Sequence, residues 1–243
     1  MPSDLADINL LLVQVRAENL AADHERKCIL KMTGLDLTQL DSVNIATADH
    51  IDEERYDRAD AVLIGGSASH SAVNDYAFTQ WFGDDIRRLV DKGKPMLGSC
   101  WGHQFMARVL GGEVVHDPER CEVGVLDAHP TEACGSDPVM GHCPDKFAVL
   151  MGHHDRVERL PDGAVELAYS DLCRNQAFRI DGLPVYGTQF HSELTPEQLI
   201  ERLSTFRQYM PDDDDFELLK SKMRPAPEAS RILPRFLDFI MSQ

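Results

Sequence analysis

The sequence predicts an α/β protein: one open, mainly parallel sheet with helices on both faces and an antiparallel β extension. Two observations carry this. Up to residue 112, aliphatic runs of strand length alternate with longer segments that are apolar on one side, and such alternation implies parallel strands joined by helices. From 113 to 190 the pieces shorten and turn signals multiply, as antiparallel pairing requires. With 243 residues, 43% of them hydrophobic and 27% charged, the chain has material for a sizeable core, and a single domain is expected over 1–243.

Residues 7–15, DINLLLVQV, form the first strand. In the following ENLAADHERKCILKMTG, the positions Leu20, His24, Cys28 and Ile29 suit one face of a helix that Gly34 closes. SVNIAT at 42–47 is the second strand and ADAVLIGG at 59–66 the third, ending in a glycine pair where the chain must turn. Residues 76–92 read as a helix, PMLGS at 95–99 as a fourth buried strand, and WGHQFMARVLGG as a helix stopped by Gly111 and Gly112. Short strands follow in GEVVHD, CEVGVLDAHP, FAVLMGHHDRV, AVELAYS, NQAFRI and LPVYGTQF. Thr195, Pro196 and Gln198 open a helix over 195–209 as N-cap, first-position proline and capping-box partner. A C-terminal helical extension begins near 211: PDDDDF at 211–216 reads as a solvated loop, SKMRPAPEAS as a hinge, and 228–241 as the last helix.

Charge and composition narrow the function. The formal net charge of −17 opposes phosphate backbones and anionic lipid, and no basic patch offsets it, so no nucleic-acid or membrane partner is expected. The N-terminal apolar run follows acidic residues, without a basic flank or cleavage site, and nothing approaches the roughly 18 apolar residues of a membrane span. A cytoplasmic protein is expected. Its six cysteines include no CxxC pair and fit reduced thiols better than a disulfide framework. Cys134, His142, Cys143, His153 and His154 match no zinc-ligand spacing, and GGSASHSAVND lacks the lysine and spacing of a phosphate loop. No metal and no cofactor are expected.

The chemistry concentrates at Cys100. PMLGSC places it where the fourth strand stops and a helix begins, at the carboxyl end of the sheet, where open α/β folds gather reactive groups. First-turn amides and the positive helix end favour thiolate over thiol. The pattern G-x-C-x-G, Gly98 to Gly102, has the logic of a nucleophile elbow, in which small neighbours permit a strained corner. Taken alone it also fits a packed cysteine at a glycine-flanked turn. A nucleophilic cysteine needs a base, and LPVYGTQF delivers His191 to the same rim, with Glu193 two residues on to fix the imidazole tautomer. That pair alone also fits a surface histidine beside a capping carboxylate.

Together VLIGGS, GSCWGHQ and YGTQFHSE, in this order and spacing, resemble the three signatures of the class I, triad-type glutamine amidotransferases. MGHHDRVERLPDGAVELAYSD further resembles the H-x-D-x-V-x-x-LP-x-GA stretch of the GMP-synthase-like branch, and the likeness runs from about 55 to 200. The resemblance implies a flavodoxin-like fold that hydrolyses the glutamine side-chain amide through a γ-glutamyl thioester. It makes Cys100 the nucleophile, His191 the general base and acid, and Glu193 its orienting partner. It gives the oxyanion to the amides of Gly66 and Trp101, and substrate contacts to Gly65, Gln104, His153, His154 and Asp155. Gly65 and Gly66 have an independent rationale, since only glycine lets backbone approach a substrate so closely. Gln104 lies one helical turn beyond Cys100, on the same face.

The sequence departs from the family form in two places. His154 replaces the glycine of S-H-G-D, which puts the backbone contacts of that loop in question, and Ser192 replaces the proline of H-P-E, which removes no chemical group. No S-G-G-x-D-S loop of an ATP-pyrophosphatase domain follows residue 200. Three readings stay open: a glutaminase subunit that passes ammonia to a separate synthetase, a stand-alone hydrolase of other γ-glutamyl compounds, and a non-catalytic regulatory module.

Overall fold

The structure is a computed structural model, and it describes residues 8–206 and 212–243. Strand β1 spans Leu10–Gln14, shorter than expected; Asp7 of the expected strand lies outside the described residues. Helix α1, Asn19–Thr33, ends on Gly34 at φ 74°. Its buried stripe is Ala21, Glu25, Cys28 and Ile29, a 3.6-residue spacing that leaves Leu20, expected to face inward, 69% exposed. Strand β2 occupies Leu40–Asn44, upstream of its expected position, and a short helix α2, Glu53–Arg58, was not expected at all. Then come β3, Ala61–Ile64; α3, Thr79–Asp91; β4, Met96–Ser99; and α4, Trp101–Val109.

The second half begins with β5, Glu113–His116, and β6, Glu122–Pro130. The stretch FAVLMGHHDRV is two strands, β7 over Phe147–His153 and β8 over Asp155–Arg159, because the chain turns at His154 to pair with different neighbours. Strands β9, Ala164–Tyr169, β10, Ala177–Ile180, and β11, Val185–Thr188, follow. Helix α5, Pro196–Thr205, carries the capping box at Thr195 and Gln198; residues 207–209 of the expected helix lie outside the described residues.

The acidic run is not a loop. Asp213–Ser221 forms α6, with the Asp212 carboxylate capping the amides of Asp214 and Asp215; Pro211 lies outside the described residues. Three aspartates in a first turn complement the helix dipole, which is why the run folds. The expected last helix is two, α7 at Pro227–Ser230 and α8 at Ile232–Met241.

Among the described residues, nine strands form one sheet in the order β2-β1-β3-β4-β11-β10-β9-β6-β7, parallel from β2 to β11 and antiparallel from there to β7. Strands β5 and β8 pair apart from it as a two-stranded ribbon. Period-two alternation splits the core. Leu10, Leu12, Leu63 and Leu97 face α1, α5 and α8, while Leu11, Val13, Val62 and Met96 face α2, α3 and α4.

Candidate active site

Three adjacent strands of the parallel half end at one rim. The pairings Thr188↔Ser99 and Ile64↔Gly98 place the residues that follow β3, β4 and β11 side by side: Gly65–Gly66, Cys100 and Gln189–His191. Cys100 adopts φ 51° and ψ −101°, one of two positive-φ non-glycine residues among those described, and its amide is fixed on the Thr188 carbonyl at 2.8 Å. Such a backbone costs on the order of 1–3 kcal/mol and persists only where its surroundings impose it. The imposing contacts are the flanking glycines: a Cβ on Gly98 would sit 2.6 Å from the Gly102 carbonyl carbon, and one on Gly102 would sit 2.9 Å from that of Ile64. Helix α4 thus abuts the strand ends without side chains between, and its first turn points amides at the rim.

His191 and Cys100 meet over Gly66. A Cβ built there would lie 3.2 Å from His191 Cε1 and 3.5 Å from Cys100 Cβ. The imidazole Nδ1 lies 2.6 Å from Glu193 Oε1, and the Ser99 hydroxyl donates to Glu193 Oε2 at 2.9 Å. With Nδ1 committed to the carboxylate, the other ring nitrogen is the one available to the thiol. Both side chains are nearly buried, Cys100 at 5% and His191 at 6% exposure. Burial works against the imidazolium, yet the Glu193 charge and the hydrogen bonds to Cys100 and Glu193 outweigh it and raise His191 to about 9. Burial equally works against the Glu193 carboxylate, but the His191 and Arg202 charges hold it down at about 2. The pair therefore rests ionised.

Gln189 reaches the sulfur, and Gln104 braces Gln189. Gln189 Nε2 points at Cys100 Sγ from 3.7 Å, and the Gln104 side-chain amide donates to Gln189 Oε1 at 2.9 Å and to the Asp155 carbonyl at 2.6 Å. The Gly152 carbonyl lies 3.9 Å from Sγ. The remaining expected contact residues divide. His154 is exposed beside this loop. Asp155 is turned to the loop after β3, its carboxylate accepting from the Ser71 hydroxyl and Ala72 amide at 2.6 and 2.8 Å and facing His116 Nδ1 at 2.7 Å. His153 stands behind the rim: Nδ1 faces the Asp155 carbonyl at 3.0 Å and Nε2 the buried Glu122 at 3.1 Å, so its ring is spent inside the fold. Trp101 is buried and stacked on Phe105, which leaves its first-turn amide, not its side chain, for the site.

The sequence reading missed Ser99 and Gln189, although both lie inside the motifs it used; their contacts follow from strand register, which sequence does not display. It also missed Arg16 and Glu25, a buried ion pair behind Gly65 and Gly66. The available signal was Glu25 itself, a carboxylate at helical spacing from Ala21, Cys28 and Ile29 on the inward face of α1. Among the described residues, no group of three or more His, Cys, Asp or Glu side chains is arranged to hold a metal ion.

A thiol, an imidazole and a carboxylate gathered at the carboxyl rim of an open α/β sheet define a class of α/β proteins organised round a buried Cys-His-Glu cluster. The model of the family "Glutamine amidotransferase class-I" matches residues 30–206, and the chain belongs to that family. It is 35% identical over 147 residues to one subunit of the glutamine-hydrolysing GMP synthase of Methanopyrus kandleri, covering 58% of this chain and 71% of that one. The corresponding subunit of Archaeoglobus fulgidus is 32% identical over 145 residues, covering 60% and 72%. The fold is shared with a glutamine amidotransferase from Thermotoga maritima, at a TM-score of 0.73 and 19% identity over 98% of this chain and 99% of that one.

Proposed function

We propose that this chain hydrolyses the side-chain amide of glutamine and delivers the ammonia to a separate synthetase subunit. The observation that carries the reading is the ordered file of Glu193, His191 and Cys100, with Nδ1 locked at 2.6 Å on the carboxylate and the sulfur at a strained helix N-cap over Gly66. Cys100 Sγ, its proton held on His191, attacks the amide carbon as the thiolate, and the amides of Gly66 and Trp101 receive the developing oxyanion. His191 gives its proton to the departing nitrogen, the C–N bond breaks, and a γ-glutamyl thioester remains. Water then attacks that carbonyl, His191 takes the water's proton, and the C–S bond breaks to release glutamate.

Gly65, Gln104 and His154 border the donor, whereas His153 supports the loop from behind and Asp155, expected at the donor, ties the loop after β3 to β8. The described residues fit one domain with a helical extension that begins with α6. The synthetase partner is supported by the names of the archaeal relatives, each of which is one subunit of a GMP synthase and not the whole enzyme. Six free cysteines support a cytoplasmic location.

The test incubates pure protein with glutamine and with glutathione and measures glutamate release, beside Cys100→Ala. Glutamine hydrolysis that falls about a thousandfold or more in the variant is expected. Release from glutathione alone would replace the reading with a γ-glutamyl peptidase, and activity that survives Cys100→Ala would end it.

A further inference from the structure

We infer that Arg16 and Glu25, which take no part in the file of Glu193, His191 and Cys100, are positioning residues for the oxyanion-forming step; the inference rests on the proposed glutamine hydrolysis. Arg16 follows β1, Glu25 projects from α1, and the two form an ion pair at 5% and 0% exposure. A charged pair so deep gains little stability over an apolar replacement of the same volume, so its presence asks for another reason.

Its placement supplies one. The Glu25 carboxylate packs directly under Gly65, where a Cβ would fall 2.8 Å from its Cδ. The Arg16 guanidinium reaches the next residue: a Cβ on Gly66 would lie 3.7 Å from its terminal nitrogen, at the point already shared by His191 Cε1 and Cys100 Cβ. The pair is thus a fixed dipole with its cationic end toward the spot where the Gly66 amide meets the oxyanion. A preorganised dipole of this sense stabilises negative charge that appears only in the transition state.

Every part of this arrangement is held. Gln14 Nε2 donates to Glu25 Oε2 at 3.0 Å and to the Ala22 carbonyl at 2.8 Å. The Arg16 main chain is clamped by Asn44, whose Oδ1 accepts from the Arg16 amide at 3.1 Å and whose Nδ2 donates to the Arg16 carbonyl at 2.8 Å. Gly65 is bonded on both sides, its amide to Val13 and its carbonyl to the Gly102 amide. The pair and the turn therefore move together or not at all.

The experiment compares Arg16→Met, Arg16→Lys and the double variant Arg16→Met/Glu25→Leu with wild type. It reads kcat and KM for glutamine, thermal midpoint, and the rate at which iodoacetamide alkylates Cys100, a reaction that forms no oxyanion. Arg16→Met should lower kcat about 10- to 100-fold with KM within about threefold, and Arg16→Lys should recover part of the loss. The double variant, with both buried charges gone, should melt at or above the wild-type midpoint and alkylate at the wild-type rate, yet keep the kcat deficit. A double variant with wild-type kcat overturns the inference, as does a loss lying wholly in KM. Should the double variant not fold, Arg16→Lys decides: wild-type kcat in Arg16→Met and Arg16→Lys alike overturns it. A wild type without glutamine hydrolysis overturns the proposed function, and this inference with it.

Discussion

Cys100 holds a backbone conformation that side chains avoid, imposed where Gly98 and Gly102 bring α4 close against β3 and β4. In the proposed mechanism that strained corner is also what presents the sulfur to the substrate. Cys100→Gly should therefore abolish glutamine hydrolysis while melting at or above the wild-type temperature, because glycine occupies positive φ without penalty. Cys100→Ala should be equally inactive without that gain, and differential scanning calorimetry separates the two.

The neighbouring pair gives a pH signature. His191 is raised to about 9, so its contribution is fully present below its ordinary value of 6.5 and is lost as pH climbs through 9. Glu193 is depressed to about 2, so its contribution is present above 4.5 and lost as pH falls toward 2. Wild-type stability should thus decline more steeply between pH 6.5 and 9 than that of His191→Asn, read as the difference between their unfolding curves. Parallel curves across that window would show that no ion pair exists. At this scale the catalytic candidates were legible, because Cys100, His191 and Glu193 sit in short local patterns. Arg16 and Glu25 were not, because what gives them meaning is a contact with a third segment at Gly65 and Gly66.

Elements decide how firmly those residues are held. Asp155 opens β8 and ties the loop after β3 to the β5–β8 ribbon through Ser71, Ala72 and His116. Asp155→Ala should speed amide exchange at Ser71 and Ala72 and lower kcat/KM for glutamine about tenfold or more, with little change in melting temperature. Unchanged exchange at those amides would show that the loop is held from elsewhere. The Asp212 cap of α6 makes the opposite case. Asp212→Ala should cost about 1 kcal/mol of stability and leave hydrolysis intact.

The same elements mark where sequence patterns mislead. In α2 only Tyr56 is buried, so no apolar period announced the helix. The aspartates of α6 were read by composition, although their first-turn position is what makes them helix-forming. Strands β7 and β8 looked continuous because nothing in HHD marks where one partner is exchanged for another.

Across the whole molecule, the parallel half was readable from alternating periodicity, but the strand order was not. Strand β11, last in sequence, inserts between β4 and β10, and this long-range insertion is what carries His191 to Cys100. The C-terminal helices complete the face below it: Phe236 of α8 is fully buried, its ring centroid 5.9 Å from that of Tyr186 on β11. Phe236→Ala should cost about 3–5 kcal/mol and lower the stability of the rim with it, visible as one cooperative transition shifted in denaturant. Two separated transitions would show the helices to be an independent unit. If the proposed synthetase partner exists, the net charge of −17 favours a basic docking face on it and association that weakens with salt.

In the proposed reaction the sulfur of Cys100, aligned by His191 and Glu193, takes the γ-glutamyl group from glutamine. Acid-quenching the protein during turnover and mapping its peptides by mass spectrometry tests this most directly. The expected result is a γ-glutamyl adduct on the Cys100 peptide that is absent from Cys100→Ala and lowered or slowed in Glu193→Gln. Glutamate released with the adduct on another residue, or undiminished in the Cys100 variant, would contradict it.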